Sequence, residues 1–173
     1  MEVVDKRSFM EQFTETGISF DTRYPAPQTI GFRKGKMIKI SLGGEIGDIA
    51  RLLGMVSKIY DSAEALWIWR RSGTWVPSKL DLDGWRGEII QGLEALGLPL
   101  ADGAVLCRNS ERRLLPSVLL LLLSIQRSVD DDVFLVAADK FPVAWIDHDG
   151  DLFLDCASEE VASGLRARFA HWL

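Results

Sequence analysis

The densest group of reactive side chains in this sequence is Asp147-His148-Asp149-Gly150-Asp151, three carboxylates and an imidazole within five residues. Carboxylate oxygens suit Ca²⁺ or Mg²⁺. Asp147, Asp149 and Asp151 are therefore candidate metal ligands, and a metal-assisted enzyme is the function they suggest. The spacing departs from an EF-hand loop: glycine stands fourth rather than sixth, and no closing glutamate follows. Asp149-Gly150 is also the dipeptide that a two-residue type I′ hairpin turn takes, and a turn is the reading the spacing favours.

Other chemistry has fewer residues to draw on. His148 and Cys156 lie on opposite arms of the hairpin this turn implies, which makes them a possible base and nucleophile. A strand thiol facing a core is inert, however, and nothing in the sequence marks Cys156 as activated. With His148 and His171 the two histidines, histidine catalysis and His-based zinc sites have few options. Ser41-Leu42-Gly43-Gly44-Glu45-Ile46-Gly47 follows a strand and opens a helix, the place for a phosphate cradle. It lacks the G-x-G-x-x-G spacing and the Lys-Ser/Thr pair, and Glu45 and Asp48 put negative charge where an anion would sit. Its glycines read as a tight strand-to-helix turn. No G-x-S-x-G, H-E-x-x-H or C-x-x-C occurs, and no cofactor is expected.

The remaining polar groups suggest recognition rather than catalysis. The net charge is −5, and the basic pairs Arg70-Arg71 and Arg112-Arg113 are short, so no basic face for nucleic acid or an anionic membrane is visible. Acidic loops favour a basic protein partner. The candidate contact residues are Asp81, Asp83, Asp130, Asp131 and Asp132, with Trp75, beside a turn and Pro77, as an aromatic anchor. Burial in the core is the alternative for Trp75, as for most tryptophans. These features point to a non-enzymatic protein-binding module, whose most concrete form is an immunity-like protein that neutralises a bacterial toxin.

These groups need a scaffold, and hydrophobic periodicity predicts one. Helices are expected over Lys6–Thr16, Glu45–Tyr60, Asp83–Leu96, Glu111–Arg127 and Glu159–Trp172. Asp5 and Ser158 are N-cap candidates, and Pro116 is tolerable in a first turn. Trp85, Ile89, Leu93 and Leu96 form the expected buried stripe of the third helix. Strands are expected at Leu66–Arg70, Ala104–Arg108 and Val133–Ala138. Hairpins are expected at Thr29–Leu42, turning at Lys34-Gly35, and at Val143–Cys156. Together they give an α/β (α+β) fold: a mixed β-sheet with hairpins near both ends, packed by about five helices. Its 173 residues suit a single globular domain.

The segment Leu66-Trp67-Ile68-Trp69-Arg70-Arg71-Ser72-Gly73-Thr74-Trp75-Val76-Pro77-Ser78 resembles one in a group of uncharacterised bacterial proteins. The group has a Trp-rich strand, a G-x-W-P-S-like turn, a helix, a strand and a leucine-rich helix. The resemblance spans Leu66 to Ala138, with Val76 standing between Trp75 and Pro77 where the group is tighter. It implies this layout and no activity. The two cysteines, Cys107 and Cys156, fall in strands and read as buried free thiols, which suits a cytoplasmic location. The N-terminus lacks a signal peptide's apolar core. The Leu114–Ile125 run, interrupted by Pro116, is too short to span a bilayer.

Overall fold

The structure is a computed structural model that describes residues 1–13, 15–20, 30–32, 35–41, 45–75, 84–98, 101–126, 129–137 and 141–171. A seven-stranded sheet runs in the order β1-β6-β5-β7-β8-β9-β4, and β2-β3 form a second, two-stranded sheet. The strands are β1 Glu2–Val4, β2 Ile18–Phe20, β3 Ile30–Phe32, β4 Lys36–Ile40, β5 Ala65–Arg70, β6 Ala104–Arg108, β7 Val133–Ala137, β8 Val143–Ile146 and β9 Leu152–Cys156. The helices are α1 Lys6–Gln12, α2 Ile46–Ile59, α3 Trp85–Ala95, α4 Leu115–Ile125 and α5 Glu159–Arg168. This is the expected α+β fold with five helices, and every pairing between the described strands is antiparallel. Among the described residues no helix is long and apolar enough to cross a membrane.

Alternation along the strands divides the core in two. Leu66, Ile68, Leu135, Ala144 and Leu154 face one side, where α2, α4 and α5 contribute Leu52, Met55, Val56, Leu119, Leu122 and Ala162. On α4, the buried Leu115, Val118, Leu119 and Leu122 recur at one-face helical spacing. Leu120 is 44% exposed, so the leucine run is buried on one broad side and open on another. Trp67, Trp69, Phe134, Val136 and Val143 face the opposite side. There α1 stacks Phe9 on Trp69, with ring centres 5.2 Å apart, and sets Phe13 edge-on to Trp67 at 5.0 Å. Asp5 starts that helix by accepting the Arg7 and Ser8 backbone N–H groups. Cys107 and Cys156 are buried free thiols.

Three expectations are corrected. β3 and β4 do not form a hairpin with each other: β3 pairs with β2, whereas β4 crosses to pair with β9. Asp155 on β9 meets the chain between these two strands. Its carboxylate accepts the Phe32 backbone N–H at 2.7 Å and lies where a Cβ at Gly31 or Gly35 would be. Only glycine lets the chain pass this close to it. Trp85 does not belong to a buried stripe, being 55% exposed. The α3 face turned inward is Gly87, Ile90 and Leu93, and Gly92 lies against Leu121 of α4. The second hairpin forms, but β8 ends at Ile146, so five residues rather than the four expected separate it from β9. The Gly150 N–H bonds the Asp147 carbonyl at 3.0 Å, and Gly150 takes a left-handed φ of 86°.

Candidate functional site

β5 and β7 pair antiparallel with Arg70 opposite Val133, so the residues just after β5 meet those just before β7. The Arg71 N–H bonds the Asp132 carbonyl at 2.8 Å, and the Ser72 N–H bonds the Asp130 carbonyl at 2.9 Å. β8 lies next to β7, which brings the Asp147–Asp151 turn to the same end of the sheet. Two acidic loops that are separate in sequence therefore become neighbours.

Asp132 joins them. Its side chain is fully buried, and one carboxylate oxygen, Oδ1, accepts both the backbone N–H and Nδ1 of His148, each at 2.9 Å. The other oxygen, Oδ2, accepts the Trp145 indole N–H at 3.0 Å and lies 3.2 Å from the Arg71 guanidinium. Arg71 is itself buried and lies over the rings of Phe134 and Trp145, 5.5 and 5.0 Å from their centres. A buried carboxylate persists only when paired and hydrogen-bonded, and Asp132 is both. Hydrogen bonding to Asp132 raises the His148 pKa. With Nδ1 engaged, Nε2 is the ring nitrogen available to an outside group.

The turn uses its own carboxylates. Asp147 Oδ1 accepts the Asp149 and Asp151 backbone N–H groups at 3.1 and 2.9 Å, and burial raises its pKa. Asp151 forms an ion pair with Lys39 at 2.6 Å. Among the described residues no three His, Cys, Asp or Glu side chains are gathered to hold a metal ion. Asp130 and Asp149 are exposed, and Asp131 pairs with Arg70. Asp48, in the first turn of α2, pairs with Arg51 and shares a small cavity with Asp149. Among the described residues, Asp48, Asp131, Asp132 and Asp151 form ion pairs with Arg51, Arg70, Arg71 and Lys39.

No family model matches the chain, and no curated protein or solved structure does either.

The structure moves two candidate residues out of the recognition surface. Trp75 is 3% exposed, and its indole N–H donates to the Gly103 carbonyl at 2.9 Å, so it is part of the core rather than an anchor. Asp132 is an interior hub rather than a rim charge. Asp81, Asp83 and the Gly43-Gly44 turn lie outside the described residues. Cys156 is fully buried, with burial pushing its thiol up to about 11, which keeps it a thiol at neutral pH. It lies at the end of β9 away from His148, so the two do not form a catalytic pair. Reading the residues by type missed the Arg71–Asp132–His148 contact. The signal was available only in combination: a basic pair ending one apolar strand and an acidic run opening another meet if those strands pair antiparallel.

Proposed function

We propose that this chain is a non-enzymatic protein-binding module that receives a basic partner at the acidic end of its sheet. An immunity-like protein that masks a bacterial toxin is the most concrete form of this reading. One observation carries it: the Asp132–His148 contact holds the Asp130–Asp132 and Asp147–Asp151 loops side by side, leaving Asp130 and Asp149 exposed at the same end. Loops held on a rigid sheet are where proteins commonly present recognition groups. Their charge would steer a basic partner and speed its association, an effect that added salt weakens. A standard interface needs about 800 Å² from each partner, roughly a tenth of a small protein's surface, which a domain of this size can offer. The buried free thiols fit a reducing cytoplasm.

A metal-assisted enzyme at Asp147, Asp149 and Asp151 has less support, because Asp147 is engaged by backbone N–H groups and Asp151 by Lys39. The test is partner capture from native lysate by wild type and by a folded Asp130→Lys, Asp149→Lys double variant. The proposal expects one protein enriched by wild type, released by salt and lost by the double variant. Undiminished capture by the folded double variant would rule this surface out.

A further inference from the structure

Beside the joined loops lies a cavity of about 150 Å³, walled by Ile49 and Leu52 of α2 and Leu123 of α4. Gln126, His148 and Gly150 complete the wall, and the carboxylate residues Asp48 and Asp149 line it as well. Its size narrows the choice of occupant. Drug-sized ligands occupy roughly 300–1,000 Å³, whereas an engineered apolar cavity of roughly 150 Å³ holds a single benzene. This cavity therefore fits one side chain rather than a cofactor or a metabolite of ordinary size.

The lining narrows it further. Three aliphatic side chains suit a hydrocarbon stem, and carboxylates suit a cationic head. Lysine and arginine have this division, burying their methylenes along apolar surface while the charge stays near water. An anionic side chain would be repelled by the Asp149 carboxylate, and a purely apolar one would gain nothing from it. His148 is held in the wall by its two bonds to Asp132, so this part of the wall is set before any partner arrives.

We infer that this cavity is the receptacle for one lysine or arginine side chain of the protein partner, its stem against Ile49, Leu52 and Leu123 and its charged head at Asp149. The inference rests on the protein-binding reading and names the contact through which that binding is anchored.

The test does not need the partner. n-Butylguanidinium, n-butylammonium, n-butanol and butyrate are titrated separately into the ¹⁵N- and methyl-labelled full chain and followed by NMR. Both cations are expected to shift Leu52, Leu123, His148 and Gly150 with millimolar affinity. Asp149→Asn is expected to weaken them about two- to fivefold, the worth of one partly exposed ion pair. Leu123→Phe, which narrows the cavity, is expected to abolish the shifts while the methyl spectrum shows the protein still folded. Equal binding of butanol, stronger binding of butyrate, no shift at these residues, or binding unchanged by Leu123→Phe would each overturn the inference. The two readings can fail separately. Cation binding here, alongside a captured partner indifferent to Asp130 and Asp149, would leave the cavity's affinity for a cationic side chain standing and remove both the surface proposal and the partner's place in the cavity. A partner that needs Asp130 and Asp149, alongside a cavity silent to both cations, would do the reverse.

Discussion

His148 and Asp132 are bonded twice: the backbone N–H and Nδ1 of His148 both meet Asp132 Oδ1 at 2.9 Å, across 16 residues of sequence. The contact ties the β8–β9 turn to the start of β7, so its ionisation state affects the stability of the acidic end.

The sign of that effect follows from the raised His148 pKa, whose main cause is the hydrogen bond to Asp132. A histidine pKa raised on folding contributes stability that is full below the unfolded value of about 6.5. That contribution is lost as pH rises through the higher folded value. Urea melts from the mildly acidic to the mildly alkaline side of that value are expected to show wild type losing stability upward. His148→Gln should flatten this dependence. Equal slopes for the two proteins would show that the imidazolium contributes nothing.

Asp155 should behave oppositely from a paired carboxylate. Burial raises its pKa, opposed by the Phe32 N–H bond. Folding therefore favours its protonated form, and its ionisation costs stability as pH rises out of the acid range. Asp155→Asn keeps an acceptor for Phe32 and removes the buried charge, so it is expected to equal or exceed wild type in melts at neutral pH. A large loss there would show that the charge itself is required.

Gly35 is predicted to be coupled to Asp155. Gly35→Ala puts a Cβ into the Asp155 carboxylate and is expected to cost about 1–3 kcal/mol, the usual range for overpacking. In an Asp155→Ala background the same change should cost much less. Additive costs in a double-mutant cycle would break this link.

The leucine-rich helix gives a paired stability test. Leu122 is 2% exposed and Leu120 is 44% exposed. Leu122→Ala is expected to cost about 2–5 kcal/mol, and Leu120→Ala to stay within about 1 kcal/mol of wild type, because it leaves little cavity. The reverse order in urea melts would mean that α4 is turned the other way.

Local pattern made most of these elements legible. Alternation identified β4 and continuous apolar runs identified β5 and β7, since a strand covered on both faces reads that way. The Asp5 and Ser158 caps followed from residue type, and both accept backbone N–H groups in the structure. The errors came from relations between distant residues. Trp85 matches a helical stripe, but the buried face of α3 is Gly87, Ile90 and Leu93, which leaves Trp85 exposed. Thr29–Arg33 and Lys36–Leu42 match a hairpin, but β3 pairs with β2 and β4 with β9, and the Asp155 carboxylate stands beside Gly31 and Gly35. Asp130, Asp131 and Asp132 look alike as a run. Burial then separates them into an exposed charge, an ion pair with Arg70 and the hub that orients His148. Residue type cannot make that separation, because it depends on which strand ends meet.

The acidic-end reading is tested most directly by hydrogen exchange of the full chain, free and bound to the partner it captures. The reading predicts slowed exchange at the backbone amides of His148, Asp149, Gly150 and Asp131 and in the first turn of α2, with β4 and the exposed side of α3 unchanged. Protection confined to β4 or to the surface around Trp85, with the Asp147–Asp151 turn exchanging as fast as in the free protein, would contradict it.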